Sequence, residues 1–266
     1  MTDAKLEDLV SYDCTDQIAT ITFHRPEKLN AFNDELVMAL DQRLKQFDSD
    51  PDANVAILCG EGRAFSSGAD VQQRQLRSRE EFQKLGGPQG HGASSHDLLT
   101  KSVNWKPVIA APHGYVLGLS VGIVFECDLV VAEEGTKFQI TETSRGLGAA
   151  KYWGLLDFRG AAAFGTEMAL TGRFFAAEEA KEAGLINRIA PKGTYLDVAR
   201  ELAQEVNKNP PLSVRATVRA RRWYMHRRSE EMLHMSAPLK LYLSEDFQEA
   251  ARAFAEKRPA GPFKGR

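Results

Sequence analysis

The sequence predicts an α/β protein built on a parallel or mostly parallel sheet. Two observations carry this. Short apolar runs suited to strands buried on both faces, residues 54–60 (NVAILCG), 107–114 (PVIAAPHG) and 128–132 (DLVVA), are separated by stretches with helical spacing. Strands that alternate with helices lie parallel and are joined by right-handed crossovers, with ligands near the carboxyl ends of the strands.

Taken in order, residues 9–15 and 17–24 alternate β-branched and aromatic positions about a break at Asp16-Gln17, which predicts a hairpin. Asn33 is a good N-cap, and Asp34 and Glu35 suit a first turn. Leu36, Leu40, Leu44 and Phe47 then follow at the spacing of an amphipathic helix. Between Gln72 and Lys101 the chain is polar and contains GGPQGHGASSH, so a loop beside the site is expected, poorly ordered in its middle. Arg74, Arg77 and Arg79 within it have the spacing of a solvated helix face. From Thr166 onward the pattern turns helical between Gly and Pro breaks.

Composition sets limits on function. A formal net charge of -2 gives no general attraction to nucleic acid or anionic membranes, so an anionic ligand must be met by local donors. The most apolar stretch, 115–132, is interrupted by Glu126 and Asp128, so no membrane span is expected. The amino terminus has neither secretory nor transit-peptide character, which makes the cytoplasm the expected location. Cys14, Cys59 and Cys127 are widely spaced and lack ligand spacing, so core packing is expected for them, with neither zinc nor disulfides.

Three segments bear on chemistry. RAFSSGAD, 63–70, follows a buried strand, and its Gly lets backbone N–H groups approach a ligand. In APHGYVLGLSVGIVFECD a strand ends at Gly114 and a helix begins near Gly118, where unpaired N–H groups can hold a negative oxygen. KFQITETSRGLG runs a short strand into Glu142, among Thr141, Thr143 and Ser144 rather than counter-ions; buried near a thioester, this carboxyl would move protons beside a carbonyl.

HRPEKLNAF, GRAFSSGAD, APHGYVLG with CDLVVA, KFQITE, ALTGRFFAAEEAKEAGLINRIAP and EDFQEAARAFAEKR with PFKGR resemble, in order and over nearly the whole chain, the landmarks of the crotonase (enoyl-CoA hydratase/isomerase) family. The resemblance implies a spiral of ββα units over residues 1–195, a carboxyl-terminal helical trimerisation region over 196–266, and a homotrimer or hexamer. It also implies CoA thioester substrates with no cofactor and no metal. By position, the backbone N–H groups of Ala69 and Leu119 would stabilise a thioester enolate, and Glu142 would be the acid/base residue. Ala69, Asp70, Val71 and Gln72 would line the CoA chain beside Gly118, with Lys28 toward the adenine end. Tyr152 and Trp153 fall where the acyl pocket is expected, and Lys257 and Lys264 are candidates for a CoA phosphate.

The chain departs from the family pattern in two places. Hydratases typically carry a second glutamate in the helix after the second N–H donor; Gly122 stands there. The stretch after Glu142, GLGAAKYWG, is about two residues shorter than usual by turn positions. Glu126, one turn beyond Gly122 and about 6 Å further along the helix, is expected to be a paired charge. His113 is expected to hydrogen-bond the neighbouring loop. An enoyl-CoA hydratase is the leading expectation. The alternatives are a Δ3,Δ2-enoyl-CoA isomerase or C–C lyase of the same family, or a CoA-thioester-binding protein without turnover. RATVRARRWYMHRR has a basic helix face, but the overall charge argues against a nucleic-acid surface.

Overall fold

The structure is a computed structural model and describes residues 8–88, 98–99 and 105–266. Strands β1 (Val10–Thr15) and β2 (Ile18–Phe23) form the expected antiparallel hairpin. Asp16 and Gln17 both take positive φ, 53° and 64°, as a turn matched to strand twist requires. Helix α1 (Asp34–Ser49) begins where expected, the Asn33 side chain accepting from Leu36 N at 2.9 Å, and buries Leu36, Leu40, Leu44 and Phe47.

After β3 (Val55–Gly60) come the short helices α2 (Val71–Arg74) and α3 (Arg79–Leu85), the latter closed by a Ser78–Glu81 capping box. The stretch expected to be loop is therefore helical at its start, while its middle, 89–97, lies outside the described residues. The chain continues through β4 (Val108–Ala110), β5 (Tyr115–Leu117), α4 (Leu119–Glu126), β6 (Leu129–Glu133) and β7 (Lys137–Gln139). Then come α5 (Ala150–Phe158), α6 (Ala162–Thr171), β8 (Phe174–Ala176), α7 (Ala177–Glu182) and β9 (Arg188–Ala190). Last are α8 (Tyr195–Asn207), α9 (Pro211–Ser236) and α10 (Glu245–Ala255).

A six-stranded sheet has the order β1-β2-β3-β4-β6-β9 and is parallel except for the hairpin. A second sheet, β5-β7-β8, is parallel between β5 and β7. This is a mixed α/β fold with the mostly parallel core expected. All six positions of β3 are buried, which explains why it reads as a continuous apolar run.

The region after Thr166 differs from the expectation. Strands β8 and β9 interrupt it, too short to register as periodic pattern. Helix α8 packs on the large sheet, with Ala199, Leu202 and Ala203 against Ile18, Val55, Ile57, Ile109 and Val131. The basic run of α9 is largely spent on internal pairs. Arg222, nearly fully buried, and Arg221 both bind Asp128, and Arg228 binds Asp157. Among the described residues no helix is long and apolar enough to cross a membrane.

Candidate active site

The segment 66–70, which follows β3, lies against β5 of the second sheet. Isolated bridges join Phe32 to Ala69 and Ser66 to Val116, so the segment is held from both sides. Phe32 N donates to Gly68 O at 2.7 Å and Asp70 N to Phe32 O at 2.9 Å. Pairing thus consumes the groups on either side of Ala69 and leaves its N–H directed elsewhere. Gly68, φ +87°, allows the approach: a Cβ there would fall 2.4 Å from Leu117 O.

The second donor arises at the start of α4. Gly118 is its N-cap, with φ 49° and ψ -119°, a conformation that excludes a side chain; a Cβ would lie 2.5 Å from Thr141 Oγ1 and 3.3 Å from Glu142 Oε1. Leu119 is the first helical residue, and its N–H belongs to the unpaired set at a helix start. Among the described residues, neither Ala69 N–H nor Leu119 N–H donates to any group.

Glu142 stands where β7 gives way to a turn of 3-10 helix, Thr143–Arg145; Arg145 N and Leu147 N both bond to its carbonyl, which fixes its backbone. The residue is half-buried, and its Oε2 is enclosed without a partner among the described residues. Burial pushes the carboxyl up from its ordinary 4.5 to about 7. The Tyr152 phenol within reach, the local backbone N–H groups and the Arg145 charge oppose this in part. Tyr152 is itself pushed well up, by burial first and then by the Glu142 charge.

Two cavities meet at these groups. A groove of about 900 Å³ is lined by Lys28, Asp70, Val71, Gln72, Arg145 and Lys257. A smaller cavity of about 220 Å³ is lined by Arg74, Lys151, Tyr152, Leu233 and Leu241, among others. Both include Ala69, Gln75, Leu119 and Glu142. A molecule bound at this junction would lie against the backbones of Ala69 and Leu119 and beside the Glu142 carboxyl. Such an arrangement suits proton transfer next to a carbonyl.

The structure brings together Ala69, Asp70, Val71, Gln72, Leu119, Glu142, Tyr152 and the exposed Lys28, with Gly118 forming the turn. Trp153 is not among them: its Nε1 donates to Thr166 Oγ1 at 2.9 Å, and the ring packs between α5 and α6. One residue further along a helix turns a side chain by about 100°, so neighbours such as 152 and 153 face different ways. Lys257 lines the groove, whereas Lys264 sits on Glu245 at 2.9 Å. His113 Nε2 donates to Gly62 O at 2.9 Å, the structural role expected of it.

Sequence reasoning missed Arg74. In place of a solvated face it occupies the cavity wall at 1% exposure, its Nε 3.3 Å from Asp34 Oδ1, and Arg77 shares the same carboxylate at 2.7 Å. Asp34, read only as a first-turn acid, was the available signal. Glu126 is a paired charge, bound by Lys151.

A model of the enoyl-CoA hydratase/isomerase family matches residues 13–266. The chain is 33% identical over 250 residues to the enoyl-CoA hydratase EchA19 of Mycobacterium tuberculosis, covering 90% of each chain. It is 30% identical to the 2,3-dehydroadipyl-CoA hydratase of Escherichia coli, covering 94% of this chain and 96% of that one. Among solved structures, a carnitinyl-CoA hydratase from Mycobacterium avium superposes with a TM-score of 0.80 at 28% identity, over 97% and 99% of the two chains.

Proposed function

The chain belongs to the enoyl-CoA hydratase/isomerase family, and from that premise we propose that it hydrates a 2-enoyl-CoA thioester, with Glu142 as its acid/base residue. The observation that carries this is the position of the Glu142 carboxyl. It sits beside the Gly118 turn, where the long groove and the smaller cavity join and where the backbones of Ala69 and Leu119, whose N–H groups have no partner among the described residues, also line the walls. The CoA portion occupies the groove along Asp70, Val71 and Gln72 toward Lys28, and the acyl group enters the smaller cavity.

The thioester oxygen accepts from Ala69 N–H and Leu119 N–H, which draws electron density from the double bond. Water attacks C3 as its proton passes to ionised Glu142. The π pair moves onto the enolate oxygen, where each donor contributes about 3–4 kcal/mol of transition-state stabilisation. The enolate then collapses and takes the proton from Glu142 at C2. A carboxyl held near 7 suits both halves, since it is ionised in part and returns its proton readily.

A second reading, double-bond isomerisation, is favoured by one observation: Gly122 leaves Glu142 as the single carboxyl at the junction among the described residues, and a single carboxyl suffices to carry a proton from C2 to C4 or back. Incubation with 2-enoyl and 3-enoyl thioesters of CoA separates the two. A 3-hydroxyacyl product from the 2-enoyl thioester supports hydration. Double-bond migration with no water addition would replace hydration by isomerisation. The exposed apolar residues Trp223, Tyr224, Met235 and Leu239 near the carboxyl end suit subunit contacts in a homotrimer or hexamer, and the cytoplasm remains the location proposed.

A further inference from the structure

We propose that Tyr152 does the work that a second carboxylate does in paired-carboxylate hydration: its phenol oxygen holds the water that adds to C3. The inference rests on the hydratase reading above. Its observation is a spatial exchange between two helices. A Cβ placed on Gly122 of α4 would lie 3.2 Å from Tyr152 Cε1, and 3.8 and 3.9 Å from Cδ1 and Cζ. The ring of Tyr152, from α5, therefore fills the room that a side chain at 122 would need. Glycine at 122 and tyrosine at 152 are two halves of one solution.

Tyr152 is 8% exposed and lines the smaller cavity together with Glu142, Ala69 and Leu119, and the Glu142 charge helps to push its phenol up. A phenol has one proton to donate and lone pairs to accept with. Donating to ionised Glu142, it keeps a lone pair for one water hydrogen, while the other hydrogen of that water points to Glu142. Both hydrogens are then held, and the oxygen lone pair is left for C3. During addition the O–C3 bond forms, one water O–H bond breaks toward Glu142, and that proton later joins C2; the phenol keeps its own proton throughout. Glu126 is the one acid on α4, and it is bound by Lys151.

The test compares wild type with Tyr152→Phe, with Tyr152→Ala, and with Tyr152→Ala combined with Gly122→Glu, on crotonyl-CoA. Tyr152→Phe keeps the ring that packs on Gly122 and is expected to lower kcat about a hundredfold, with KM changed less than about threefold. Because the phenol holds the Glu142 carboxyl down, its removal also moves the acid limb of the kcat profile to higher pH. A packing role alone would leave that limb in place. The double variant puts a carboxylate into the space left by the ring and is expected to recover at least tenfold over Tyr152→Ala. Undiminished kcat in Tyr152→Phe with an unmoved acid limb overturns the role of Tyr152. Absence of hydration by wild type overturns instead the hydratase reading on which it rests.

Discussion

Lys151 Nζ lies 2.6 Å from Glu126 Oε1, and the two side chains are 8% and 2% exposed. The pair ties α5 to the end of α4, the two helices that carry Tyr152 and Gly122. Removing one partner of a buried pair strands the other charge. Glu126→Gln should therefore cost about 3–5 kcal/mol of stability, read from denaturant unfolding. Glu126→Leu with Lys151→Met, which removes both charges, should recover most of that loss.

The Glu142 carboxyl makes stability depend on pH in a defined direction. Burial raises its pKa in the folded chain from 4.5 to about 7, so folding tightens its hold on the proton. That contribution is present in full below pH 4.5 and is lost as pH rises through 7. Glu142→Gln should therefore match wild type in thermal midpoint near pH 4.5 and exceed it above pH 7, in melts run across that range.

Gly118 governs the second N–H donor. A Cβ there would meet Thr141 Oγ1 at 2.5 Å in a backbone conformation that L side chains rarely adopt. Gly118→Ala should displace Leu119 N–H and lower kcat on a 2-enoyl-CoA by about a hundredfold to a thousandfold, the scale of a lost oxyanion donor. Circular dichroism would separate this from unfolding.

The groove's cations should act on binding. Lys28→Ala and Lys257→Ala are each expected to raise KM for a CoA thioester severalfold at low ionic strength, with the difference shrinking as salt rises. Lys264→Ala should leave KM unchanged, because that ammonium sits on Glu245 away from the groove. Titrations of KM against salt for the three variants check this.

Much of this site is legible in the sequence because its parts are local. Asn33 caps the helix its spacing announces, Gly68 and Gly118 mark turns of positive φ, and Glu142 follows a short strand. What escaped reading depends on residues far apart in the chain. Arg74 is buried because Asp34, forty positions earlier, receives it. Tyr152 meets Gly122 across two helices, and neither helix announces the contact in its own periodicity, since α4 is buried on every side. Likewise β8 and β9, three residues each, draw their order from the sheets they join.

The central claim is that Glu142 carries the proton between water and C2. A proton NMR time course in D2O with crotonyl-CoA, run on wild type and Glu142→Gln, tests it most directly. The expected result is 3-hydroxybutyryl-CoA bearing deuterium at C2 with wild type, and at least a hundredfold slower formation with Glu142→Gln. Equal rates in the two proteins would contradict it.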